Sequence, residues 1–286
     1  MNYRFVMEEW LSRFPLDEDA QRYSGEIVTS PRDACNNELL RRGMQDQYRW
    51  GTAVPVDIFV MAEGEPEDRS ATKVGGVPYR PANAPWPTDA TGEPMLFLGQ
   101  FNFRDSLDLT GPLPGDLLLV FADDSSGIIE DLHLEWQPKQ LPLLIDADSM
   151  PQHPNRFDPC FGYICRTISF PEAERVVPYD KQEYPKCNGK EVWSDYSLLQ
   201  WQATQIGEAP FFIQGGDSEL PGRPLCVINS VQPDQHEPYP WVNHPDPLTP
   251  EGEYNFDFNY LMIDDMGCIY ISIDENGRLH WCSSSY

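Results

Sequence analysis

The chain has 286 residues, with 46 Asp and Glu against 20 Lys and Arg, a formal charge of −26. Nucleic acids and anionic membranes call for a basic footprint, so this balance argues against both and favours a basic partner. A hydrophobic fraction of 40% and an aromatic fraction of 12% exclude an acidic disordered chain and supply a core without staples.

The opening residues, Met1 to Trp10, carry no apolar core ahead of their acids, so no secretory leader is expected. No run is long and apolar enough to span a membrane. Seven scattered cysteines without a C-x-x-C point to reduced thiols and a cytoplasmic setting. The 28 prolines imply short elements and ordered loops.

Residues 1–50 read as helical. Val6, Trp10, Leu11 and Phe14 fall at helical spacing, Pro31 and Asp33 form a start signal with Asp33 as N-cap, and Leu40, Met44 and Tyr48 share one face. At Val54 the period changes to two, with Val56, Ile58 and Val60 following. Strands are then expected over residues 95–103, 116–121, 132–136, 163–170, 225–231, 260–263 and 268–273, with one more helix over 192–202. The loop Asp274-Glu275-Asn276-Gly277-Arg278 allows two hairpin registers. Pairing Ile273 with Leu279 and Ile271 with Trp281 collects the large apolar groups on one face, which predicts a type I turn with a bulge at Gly277.

Two segments look alike: Thr72-Lys73-Val74-Gly75-Gly76-Val77-Pro78-Tyr79 and Thr204-Gln205-Ile206-Gly207-Glu208-Ala209-Pro210-Phe211. Each precedes an apolar stretch ending in glutamine, Phe97 to Gln100 and Phe211 to Gln214. Each half later offers a glycine-led strand ending in an acid, Gly115 to Asp123 and Gly267 to Asp274. The chain therefore reads as an internally duplicated single module of α+β class, predominantly antiparallel β. Residues 1–50 form its helical N-terminal segment, 52–150 its first half, and 151–286 a linker and second half.

The first block, with Ala84-Pro85-Trp86-Pro87 and Gly92-Glu93-Pro94-Met95-Leu96-Phe97-Leu98-Gly99-Gln100, resembles the signature of the YwqG-like family, a domain of unknown function. The second block and Asp264-Asp265-Met266-Gly267-Cys268-Ile269-Tyr270 are similar to that family's C-terminal half, so the resemblance spans about residues 52–286. The second block departs from the pattern at Glu208, where the family has a second glycine, and at Gln205, where it often has lysine. The resemblance implies a mostly β fold with pseudo-twofold duplication and no established catalytic residues. It also implies, for members encoded beside polymorphic toxins, an immunity role.

Eight residues stand out as candidate binding positions. Lys73, Gly75 and Gly76 lack the spacing of a phosphate-binding loop and read either as a tight turn or as a ligand-facing one. Trp86, between two prolines, is either a rigid aromatic platform or an anchor. Gln100 and Gln214 either tie down the opposite loops or form a polar pair facing a cleft between the halves. Tyr239 and Trp241, in a Pro-rich loop, are candidate partner contacts. Cys160 and Cys165 with His153, and His236 and His244 with Asp234 and Asp246, lack the spacing of metal sites, so neither metal nor cofactor is expected. No G-x-S-x-G occurs, and His280 and Cys282 are not oriented for attack. The sequence therefore points to a non-enzymatic protein that binds a basic protein partner such as a toxin. The alternative is a small-ligand module or enzyme with a cleft between its halves.

Overall fold

The structure, a computed structural model, describes residues 3–13, 31–124, 129–181, 183, 186–187, 190–191, 201–208, 210, 212–213, 220–231 and 259–285. Two helices lie near the amino terminus, α1 (Met7–Arg13) and α2 (Pro31–Gly43), and a third, α3 (Leu107–Thr110), is a single turn. Two small ribbons pair β1 (Tyr48–Arg49) with β8 (Glu174–Arg175) and β9 (Lys186–Cys187) with β10 (Lys190–Glu191). The remaining strands build one sheet: β2 (Val54–Glu63), β3 (Lys73–Val74), β4 (Leu96–Asn102), β5 (Leu117–Asp123), β6 (Asp131–Gln137), β7 (Cys160–Ser169), β11 (Gln205–Ile206), β12 (Arg223–Asn229), β13 (Cys268–Ile273) and β14 (Leu279–Ser284). Its order is β14-β13-β12-β11-β2-β7-β3-β4-β5-β6, with every neighbouring pair antiparallel, and it curls into a nearly closed barrel.

Alternation along the strands divides the apolar residues between the two faces. Leu118, Val120 and Ala122 of β5 join Ile269, Ile271 and Ile273 of β13 and Phe59 and Met61 of β2 in the interior. The intervening residues also need cover, and three separate lids supply it. Leu119 and Phe121 lie under Met95 and Trp86. Val227 and Tyr270 lie under Ile213. Val56, Ile58 and Val60 lie under Phe5, Trp10, Ala34, Cys35 and Trp201. Burial on both faces explains why β5 reads as an unbroken apolar run rather than an alternating one.

The two short strands occupy corresponding places. β3 lies between β4 and β7, and β11 lies between β12 and β2. Thr72 accepts the Asn102 amide N–H on its hydroxyl (3.0 Å), and Thr204 accepts the Asn229 amide N–H (3.1 Å). The Thr72 carbonyl accepts from Gly162 N–H and the Thr204 carbonyl from Phe59 N–H, both at 2.9 Å. Gly75 N–H donates to the Leu98 carbonyl (2.8 Å), and Gly207 N–H to the Leu225 carbonyl (3.1 Å).

The hairpin register is the one that gathers the apolar residues: Ile271 opposes Trp281 and Ile273 opposes Leu279. Gly277 has φ +77° and its N–H donates to the Asp274 carbonyl, while Asp274 N–H donates to the Arg278 carbonyl. Other expectations change. Helix α2 starts at Pro31, so Asp33 sits inside its first turn rather than capping it. Met44 and Tyr48 are buried but fall beyond the helix end, because the chain leaves Gly43 for a 3-10 turn and then β1. Residues 260–263 are not a strand; Leu261 and Ile263 plug the core from a loop. β12 lies beside β11, and Val227 opposes Gln205 as Gln100 opposes Lys73. Residues 14–30 and 192–200 lie outside the described residues, as do Gln214, Tyr239 and Trp241.

Candidate functional site

Lys73 is the centre of the first block. Its side chain is fully buried, and Nζ donates to Glu65 Oε2 (2.6 Å) and to the Val77 carbonyl (2.5 Å). Glu65 Oε1 in turn accepts the Val77 amide N–H at 2.6 Å. The lysine and the carboxylate thus clamp both polar groups of Val77 and close the turn. Desolvation pulls the Lys73 ammonium below its ordinary pKa of 10.5, and the Glu65 carboxylate opposes that shift. Gly76 makes the clamp possible. Its φ is +72°, and a Cβ there would sit 1.9 Å from Glu65 Oε1.

Gln100 completes the tie. Its Oε1 accepts the Tyr79 amide N–H, and its Nε2 donates to the Arg69 and Ala71 carbonyls, all at 2.8 Å. With both amide protons bonded and the residue 1% exposed, it faces the loop and not a cleft. Arg80 carries the next stretch. It donates to Glu135 and to the Ala84 and Pro85 carbonyls, and its guanidinium lies over Trp86 and Phe121. Trp86 donates its indole N–H to the Met95 carbonyl (2.8 Å) and sets its ring edge-on to Phe121. It is therefore an anchor, and one side of it lines a narrow cleft with Gly75, Gly76, Met150, His153 and Phe157. That cleft has a volume of about 20 Å³, room for little more than a water. His153 Nε2 stands 3.2 Å from Asp124 Oδ1 at its rim, and His153 Nδ1 accepts the Asn155 amide N–H at 3.3 Å.

The geometry ties every part of the first sequence block into one loop scaffold, and that block opens the match to a known family: residues 72–276 fit the model of a domain of unknown function, DUF1963. The chain belongs to the DUF1963 family. No curated protein matches it.

The similar segment around Gln205 lacks the clamp. Gln205, in the place of Lys73, is 0% exposed, and neither atom of its amide has a hydrogen-bond partner among the described residues. Glu208, in the place of Gly76, is half-exposed, with its carboxylate 3.6 Å from Arg223. Gly76 needs glycine on two counts, the space taken by Glu65 and its own φ of +72°, whereas Glu208 carries a side chain at a position without positive φ.

The other candidate sites come apart in three dimensions. Cys160 packs into the barrel interior and Cys165 under the amino-terminal helices, so the two thiols sit on opposite faces of β7 and cannot share a metal. Among the described residues no three His, Cys, Asp or Glu side chains gather into a metal cluster. Burial pushes the Cys160, Cys165 and Cys268 thiols up to about 12, which leaves them as thiols and poor nucleophiles at neutral pH. His280 faces Asp274 at 3.1 Å and steadies the hairpin. Asp146 accepts the Ser149 amide N–H at 3.0 Å and caps a turn. Sequence reasoning passed over Glu65, Arg69 and Arg80, the partners that make the block rigid. None carries a motif. The only available signal was that buried Lys73 and Gln100 must each find partners.

Proposed function

We propose that this DUF1963 protein is a non-enzymatic binding protein whose acidic surface docks a basic protein partner, in the manner of an immunity protein covering a toxin. The observation that carries the reading is where the cations go. Arg41, Arg42, Arg49, Lys73, Arg80, Arg166 and Arg223 each lie within ion-pair distance of a carboxylate of this chain. Arg166 also carries the buried Asp57, which is only 1% exposed. A chain already at −26 that neutralises many of its few cations internally leaves a surface dominated by unpaired acids. Such a field speeds encounter with a basic partner and disfavours acidic ones.

The scaffold behind this surface is, in the same reading, a duplicated unit with a helical N-terminal segment packed against it. The matched bonds around Thr72 and Thr204, and the mirrored places of β3 and β11 in the sheet, support the duplication. No helix among the described residues is long and apolar enough to cross a membrane. A cytoplasmic setting belongs to the same proposal and rests on the scattered cysteines. The rival reading, a ligand cleft lined by Trp86, Gln100 and Gln214, is weakened because Gln100 has no unbonded proton to offer.

The test is co-expression with the product of the adjacent gene, followed by affinity measurement at low and high salt. A complex whose affinity falls steeply with ionic strength is expected. Affinity indifferent to salt removes the electrostatic argument, and the absence of any complex removes the partner.

A further inference from the structure

The barrel wall is split beside β7. β3 covers only Lys73 and Val74, and past Gly162 the free side of β7 is taken by the amino-terminal segment. There Phe5 N–H donates to the Ile164 carbonyl and Ile164 N–H to the Tyr3 carbonyl, both at 2.8 Å. Between this segment and the end of β4 lies a cleft of about 380 Å³ whose lining includes Tyr3, Arg4, Asp68, Thr72, Arg104 and Asp105. That volume falls within the range of small-molecule sites.

We propose that this cleft binds a small zwitterion of the α-amino acid class, with Arg4 and Arg104 on its carboxylate and Asp68 and Asp105 on its ammonium.

Three observations carry the assignment. The guanidinium groups of Arg4 and Arg104 have no hydrogen-bond or ion-pair partner among the described residues, whereas nearby Arg69 donates through Nη2 to two carbonyls and Arg166 bonds through all three of its nitrogens. Two uncommitted guanidinium groups at one opening suit a carboxylate, which accepts them in forked geometry. The hydroxyls of Tyr3 and Thr72 already accept backbone N–H groups, from Asp68 (3.1 Å) and Asn102 (3.0 Å), so what remains to each is its own proton, a donor for the same carboxylate. Finally, the charged lining is balanced, two arginines against two aspartates. Asp68 uses Oδ1 on Ser70, which leaves Oδ2 for an ammonium. A doubly charged phosphate would meet both these carboxylates and the field of a chain at −26, while a neutral zwitterion is not repelled.

The proposal does not depend on the protein partner and is tested without one. The full chain is titrated calorimetrically with each standard L-α-amino acid, with the N-acetyl derivative of any that binds, and with inorganic phosphate. At least one amino acid is expected to bind with Kd at or below about 1 mM. Arg4→Gln or Arg104→Gln should each weaken it about tenfold or more, the worth of one charge-assisted bond. N-acetylation should abolish binding, and Arg278→Gln, an equally exposed arginine at the hairpin, should change nothing. Failure of every amino acid to bind overturns the proposal. So does phosphate binding as tightly as the best amino acid, or affinity unmoved in both Arg4→Gln and Arg104→Gln.

Discussion

Lys73 and Gln205 each lie in a two-residue strand between two longer ones, and they live under different rules. Lys73 is buried with two hydrogen bonds from its ammonium, to Glu65 and Val77, and Glu65 lies against Gly76. Gln205 is as deeply buried with no partner for either amide atom among the described residues, and Glu208 is exposed beside Arg223. The contrast teaches that a likeness in sequence does not carry a likeness in bonding: the buried lysine has a carboxylate and a carbonyl within reach, and the buried glutamine has no partner among the described residues.

The largest effect that would break this comparison is Gly76→Ala. It places a Cβ on Glu65 and forces a side chain into positive φ, so a loss of about 2–4 kcal/mol is expected by chemical denaturation. Glu208→Ala, at the corresponding position, should stay within about 0.5 kcal/mol of the parent. Equal costs at the two positions would end the argument.

Gln100→Leu comes next. It orphans the Tyr79 amide and two carbonyls beneath the first loop, for a loss of about 2–3 kcal/mol. Gln205→Leu should go the other way, with a gain of about 1 kcal/mol, because it removes a buried amide with no partner among the described residues. The coupling of Lys73 to Gly76 is read from a cycle. Lys73→Gln combined with Gly76→Glu installs the pair found at Gln205 and Glu208, and the double variant should be less destabilised than the sum of the singles by about 0.5–3 kcal/mol.

The smallest effect concerns the hairpin that closes the second half. The Arg278 amide and His280 hold the Asp274 carboxyl below its ordinary 3.8. A depressed carboxyl stabilises the folded state fully above its unfolded value, and that contribution is lost as pH falls through the folded value. Hydrogen exchange in β13 and β14 should therefore quicken below pH 3.8, and Asp274→Asn should flatten that acid dependence. No corresponding hairpin joins β5 to β6 by a short Asn-Gly loop, so their acid response should differ.

Much of the β framework was legible in the sequence because alternation and turn chemistry are local. The register at Gly277 followed from asking which pairing puts Ile271 and Trp281 together, and the strand at β5 from its apolar run. The helix start at Asp33 failed because Pro31 is itself a good first helical residue. The likeness of Gln214 to Gln100 falls on a residue outside the described ones; what the sheet shows is that Val227 of β12, far along the chain, pairs with Gln205. The loop clamp was legible only as a demand. Lys73 and Gln100 had to have partners, but Glu65, eight residues before Lys73, belongs to no motif that would name it as one.

The strand order bears on how the protein is made. β7 is inserted between β2 and β3, and β2 between β7 and β11, so each part of the chain holds the strand that completes the other's sheet. During synthesis β3, β4 and β5 leave the ribosome while the strand that must flank β3 is still untranslated. The nascent sheet waits with an open edge until Ser169 has emerged, and β2 waits further for Ile206. Such long-range closure is slow and exposes unpaired backbone to other chains. A fragment ending near residue 150 would lack β7 and keep that exposed edge, so expression of either half alone should give aggregation, while co-expression of the two fragments should restore a soluble pair.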